Sequence, residues 1–80
     1  MPEETYWKEQ ASGIVRAYLA RKNFRYQDLA RALQGIGIDE TANSIGNKLS
    51  RGTFSFTFFL QCMYALRIDA VELNLENTGR

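Results

Sequence analysis

The side chains best suited to chemistry in this 80-residue chain lie close together: Asn43, Ser44, Asn47, Lys48 and Arg51. On a helix, residues four apart share one side, so Asn43, Asn47 and Arg51 fall on a single stripe. An Asn amide donates and accepts at once and pairs bidentately with adenine, and a Ser hydroxyl can do either. Lys48 and Arg51 suit phosphate, or guanine if the helix sits deep, while Thr53 and Tyr26 add hydroxyls for phosphate and Gln27 a further amide. Such a set reads the edges and backbone of a duplex. The plain alternative is that the same residues are the solvated face of a core helix.

Other chemistries find few candidates. Histidine is absent and Cys62 is the sole cysteine, so an intrachain disulfide is impossible and most transition-metal sites lack donors. Cys62 lies in a very apolar segment and reads as a buried, inert thiol. The carboxylates are scattered, and Gly35 and Gly37 are followed by Ile-Asp-Glu-Thr rather than by the Lys-Ser/Thr of a phosphate loop. No enzyme activity, cofactor or metal is expected. The net charge of +1 hides an uneven distribution: residues 16–51 carry seven basic side chains against three acidic ones, between slightly acidic ends. A basic centre fits a nucleic-acid face.

The elements that must position these residues follow from apolar spacing. Pro2, Glu3 and Glu4 suit a first turn, and Trp7, Ala11, Ile14, Val15, Tyr18 and Leu19 recur at helical intervals, predicting a helix over 4–21. Asn23 breaks it. A second helix over 26–34 turns Leu29, Ala30 and Leu33 inward, with Gly35 as its stop and Gly37 allowing a further turn. In the third, over 40–51, Ile38, Ala42, Ile45 and Leu49 form the inner arc. Glu40, Asn43, Ser44, Asn47, Lys48 and Arg51 form the outer one. Asp39 or Thr41 caps its start and Gly52 its end. Ser55 caps a fourth helix over 56–66, with Phe54 and Phe59 spaced as a hydrophobic staple.

That fourth helix is apolar on more than one side, so it is central to the core or covered by a partner. The expected core comprises Trp7, Val15, Leu19, Leu29, Leu33, Ile45, Leu49, Phe59, Leu60 and Met63. Beyond Arg67 the period becomes two: Val71, Leu73 and Leu75 alternate with Glu72, Asn74 and Glu76, as in a strand. A lone strand needs a partner, which suggests a homodimer through Val71, Leu73, Leu75 and the apolar face of the fourth helix, Phe58 and Cys62 included. The alternative is that the segment folds back on the first helix. No run is long enough to span a bilayer and the N-terminus lacks a signal pattern, so a cytoplasmic protein is expected, with no membrane partner.

The run Phe24-Arg25-Tyr26-Gln27-Asp28-Leu29-Ala30, the ending Leu49-Ser50-Arg51-Gly52, the helix from Phe58 to Leu66 and the close Leu66-Arg67-Ile68 resemble the λ-repressor/Cro-type helix-turn-helix domain over about residues 14–69. The segment from Asn47 to Ser55 is also similar to a family of small bacterial domains of uncharacterised role. Four features depart from the helix-turn-helix pattern. Tyr26 stands where that family has a phosphate-touching Gln, Arg25 where it has a Ser or Thr cap, and Gly46 where it has an inward aliphatic; the connection between the second and third helices is also longer.

The resemblance implies an all-α fold: one four-helix, λ-repressor-like helix-turn-helix domain over 1–80, with a short extended C-terminal segment. It implies a transcriptional regulator that binds double-stranded DNA with the third helix in the major groove. The expected contacts are Tyr26, Gln27, Asn43, Ser44, Asn47, Lys48, Arg51 and Thr53. The alternative function is a protein-interaction or dimerisation module with the same fold and no DNA binding.

Overall fold

A computed structural model describes residues 3–73 and residue 75. Pro2, Asn74 and Glu76, which entered the readings above, lie outside the described residues. Four helices follow one another: α1 (Glu4–Arg21), α2 (Tyr26–Gly35), α3 (Ala42–Arg51) and α4 (Phe56–Ala65). The fold is all-α, and among the described residues there is no strand. No helix among them is long and apolar enough to cross a membrane.

Three of the helices stop in the same way. Asn23, Gly37 and Arg67 take up left-handed backbone conformations at φ 59°, 86° and 60°. The next residue, Phe24, Ile38 or Ile68, donates its N–H back to Leu19, Leu33 or Met63 at 2.8–2.9 Å. Each then lays its apolar side chain on the core, so one turn both satisfies an orphan carbonyl and redirects the chain. The second helix therefore runs through Gly35, and Gly37 makes the left-handed turn. Helix α3 ends at Gly52, φ 71°, whose N–H donates to the Lys48 carbonyl at 3.0 Å.

The core is built from Val15, Tyr18 and Leu19 of α1, Leu29, Ala30 and Leu33 of α2, Ile45 and Leu49 of α3, and Phe58, Cys62, Met63 and Leu66 of α4 and its cap. Of the expected core residues, two sit outside it and a third packs at its edge. Trp7 is half exposed at the first turn of α1, edge-on to Tyr6; Leu60 is 51% exposed, and Phe59 is only partly buried. Because α4 is apolar all round, its periodicity could not choose an inward face. Packing turns Phe58, Cys62 and Met63 in, and Phe56, Leu60 and Tyr64 out. Phe58 and Cys62 are thus interior, not interface residues. Ser55 accepts the Phe58 N–H at 2.9 Å as the expected cap, while the ring that meets Phe54 is that of Phe58, at 5.6 Å, rather than Phe59.

The C-terminal segment folds back. The Glu72 N–H donates to the Tyr18 hydroxyl at 2.9 Å, and Val71 packs on the core. Leu73 borders a hollow with Ala11 and Ile14 of α1 and Phe54, Phe56 and Phe59. Alternating side chains satisfied the strand pattern, yet two anchoring contacts on α1 replace the ladder that a strand would need.

Helix α3 is clamped by close approach. A Cβ on Gly52 would lie 2.6 Å from Lys8 Cβ and 2.7 Å from the Lys8 carbonyl oxygen, so only glycine lets α1 cross here. Gly46 faces the ring of Tyr26, with its missing Cβ 3.5 Å away. Two of the departures from the helix-turn-helix pattern, Tyr26 and Gly46, are therefore one contact, a large ring on α2 seated against the bare backbone of α3. Gly52 and Arg67 share a conformation but not its cost. Gly52→Ala is expected to lose more than the roughly 1–2 kcal/mol of left-handed backbone strain, because backbone atoms must also move. Arg67→Gly, with that strain relieved, is expected to gain about 0.5–1 kcal/mol after glycine's extra unfolded-state entropy. Urea unfolding of the two variants checks both signs.

Candidate functional site

The outer arc of α3 divides in two. Its first turn begins with a reciprocal cap: the Thr41 hydroxyl accepts the Ser44 N–H at 3.0 Å, and the Ser44 hydroxyl accepts the Thr41 N–H at 2.9 Å. Thr41 is therefore the N-cap, and Glu40 precedes the helix instead of lying on its polar face. Its backbone carbonyl takes a 2.7 Å hydrogen bond from the Gln34 amide at the end of α2. Its side chain turns beneath α3 and is only 9% exposed. There the carboxylate accepts from the Ser44 hydroxyl at 2.6 Å and pairs with the Lys48 ammonium. The same ammonium lies 4.5 Å from the centre of the Phe58 ring, a cation–π contact that ties α3 to α4.

Burial opposes the charge on Glu40. The Lys48 and Ser44 hydrogen bonds and the Lys48 charge outweigh it and hold the carboxyl below its ordinary value. Burial, with the Glu40 charge adding to it, pushes the Cys62 thiol up to about 12. Cys62 is thus a protonated, buried thiol. Two expected DNA contacts, Ser44 and Lys48, are accordingly engaged with Glu40, though both remain partly exposed. Arg31 is also diverted: with the Arg25 backbone N–H it holds Asp28, whose carboxyl is lowered first by the Arg25 hydrogen bond.

The other half of the arc is free. Asn43, Asn47, Ser50 and Arg51 are exposed, and among the described residues their side chains make no hydrogen bond or ion pair. They subtend one side of α3 directly opposite Ile45 and Leu49. Gln27 and Thr53 are also exposed and unengaged. Tyr26 is partly buried, its hydroxyl accepting from Arg16 Nε at 3.3 Å.

Ser12 and Arg16, which apolar spacing did not single out, finish the site. The Leu49 carbonyl, one of the last-turn acceptors a helix leaves open, takes the Ser12 hydroxyl at 2.6 Å and Arg16 Nη2 at 3.3 Å. Ser12 is buried for this purpose. Arg51 shares a hollow with Lys8, Arg16, Ser50 and one acidic side chain, Glu9. The positive charge beside Arg51 therefore comes from Lys8 and Arg16 of α1, with Lys8 itself paired to Glu4 at 3.7 Å. A Lys or Arg near a helix C-terminus also suits the helix dipole.

Two consequences are measurable. A carboxyl lowered in the folded state contributes stability that is complete above the unfolded carboxylate range, about pH 4.3 for Glu, and is lost as pH falls through the folded value. Glu40→Gln is expected to be less stable at neutral pH and to lose less on acidification, the remaining loss including that from Asp28. Thermal melts across the acid range measure it. Lys48→Ala, which strands the Glu40 charge, is expected to cost about 1.5–3 kcal/mol.

The family described as a domain of unknown function (DUF6471) matches residues 7–71. The match begins at Trp7 within α1 and runs through α2, α3 and α4 to Val71. No curated protein and no solved structure matches the chain.

Proposed function

We propose that this chain, which belongs to the DUF6471 family, is a non-enzymatic DNA-binding domain of a small transcriptional regulator, with α3 entering the major groove in the helix-turn-helix manner. The observation that carries the reading is the stripe Asn43, Asn47, Ser50 and Arg51. These are four hydrogen-bonding side chains, exposed and unengaged, on a helix whose own rotation is fixed from beneath. Asn43 and Asn47 read base edges, and Arg51 contacts phosphate or guanine. Gln27 and Thr53 are exposed and unengaged as well, and Arg16 and Lys8, the latter paired to Glu4, line the hollow beside Arg51. Lys48 and Ser44 act by holding α3 rather than by touching the duplex. Tyr26 likewise orients α3 through Gly46.

The second reading is a protein-interaction module. Its support is the exposed row Phe56, Leu60 and Tyr64 on α4. Binding to duplex DNA separates the two. Arg51→Ala is expected to weaken binding to all duplexes about equally and to reduce the salt slope by roughly 0.9. Asn47→Ala is expected to cost about 1–3 kcal/mol on a preferred site and little elsewhere. Fluorescence anisotropy at two salt concentrations measures both. Wild-type protein that binds no duplex at about 50 mM salt, where phosphate contacts are strong, excludes the DNA reading and leaves the interaction module.

A further inference from the structure

Helix α4 has an outward face that its own core does not use. Phe56, Leu60 and Tyr64 are 71%, 51% and 71% exposed, at spacing i, i+4, i+8, and therefore form one straight row. Phe56 stacks on the partly buried Phe59 at 5.8 Å, which widens the row toward the hollow bordered by Ala11, Ile14 and Leu73. Not one of the ten residues of α4 is charged, in a chain where 24% of residues are.

We propose that this row is a homodimer contact in which α4 packs antiparallel against α4 of a second copy, with the two-fold axis at Leu60. The row itself selects that occupant. It is symmetric about its centre: an aromatic ring, a branched aliphatic, then an aromatic ring one turn further on. A two-fold axis at Leu60 sets Leu60 against the partner's Leu60, and Phe56 against the partner's Tyr64 on both sides. The Tyr64 hydroxyl stays at the rim, where it reaches water. The antiparallel arrangement sets the helix dipoles in opposition and brings no like charges together, since the face has none.

The area is sufficient for a modest dimer. With large side chains burying about 150–250 Å² each, the exposed fractions give on the order of 350 Å² per copy from the row alone. Phe59, Thr57 and Gln61 at its edges bring the two-copy total toward the roughly 1,000 Å² that a specific interface requires. This contact lies apart from the α3 stripe, and it stands whether or not the domain binds DNA.

The test combines mass with geometry. Sedimentation equilibrium of wild type is expected to move from the mass of one chain toward that of two as concentration rises. Leu60→Asp, which sets two carboxylates on the axis, is expected to stay monomeric at every concentration with an unchanged helical spectrum, because Leu60 is outside the core. In a Cys62→Ala background, Leu60→Cys is expected to form a disulfide-linked dimer under mild oxidation. Phe56→Cys is expected to cross-link poorly alone but well when mixed with Tyr64→Cys. A wild type that remains monomeric, as it would if the row served a different protein, overturns the proposal. So does a Leu60→Cys protein that cross-links no faster than Asn43→Cys, on α3.

Discussion

The ion pair between buried Glu40 and partly exposed Lys48 is the constraint on which the rest of α3 depends. Removing a carboxylate from water is costly, and a buried ion pair often adds little net stability compared with an apolar pair of the same shape. Its effect is positional. Glu40 is held by its backbone to Gln34 of α2, by its side chain to Ser44 and Lys48 of α3, and through Lys48 to Phe58 of α4. Turning α3 about its axis would pull Lys48 from the carboxylate and leave a charge without a partner in the interior. The helix is thereby locked with Asn43, Asn47 and Arg51 outward.

The far end of α3 is fixed by a different means. There α1 supplies Ser12 and Arg16 to the Leu49 carbonyl, and its backbone runs so close at Lys8 that Gly52 admits no side chain. In the middle, Tyr26 seats on Gly46 and its hydroxyl is held in turn by Arg16. A charge pair at one end, a ring in the centre and backbone contact at the other leave α3 with little freedom to shift. A recognition surface gains from such rigidity, because side chains already in place lose less freedom on binding.

Much of this was legible from periodicity. The inward residues of α2 and α3 follow from strong two-sidedness, so Leu29, Leu33, Ile45 and Leu49 sit where spacing puts them. Glu40 escapes the helical pattern because the helix begins only after the cap at Thr41, where the chain turns and a side chain is no longer bound to the helix wheel. The outward side of α4 could not be read from a segment apolar all round. Ser12, with no charge and no place on the apolar stripe, offered no local signal; its role comes entirely from a carbonyl 37 residues away. The tail showed strand alternation, but alternation alone does not provide a neighbouring strand, and Tyr18 took its hydrogen bond instead.

The claim that the polar arc of α3 is divided, one half structural and one half free for a duplex, is tested most directly by amide chemical-shift mapping. Labelled protein titrated with duplex DNA at low salt is predicted to show its largest changes at the side-chain amides of Asn43 and Asn47 and around Ser50 and Arg51. The Thr41 and Ser44 cap and the Cys62 region are predicted to stay still, since the Glu40–Lys48 pair persists. Absence of change along α3, or changes centred on Phe56, Leu60 and Tyr64, would contradict the account.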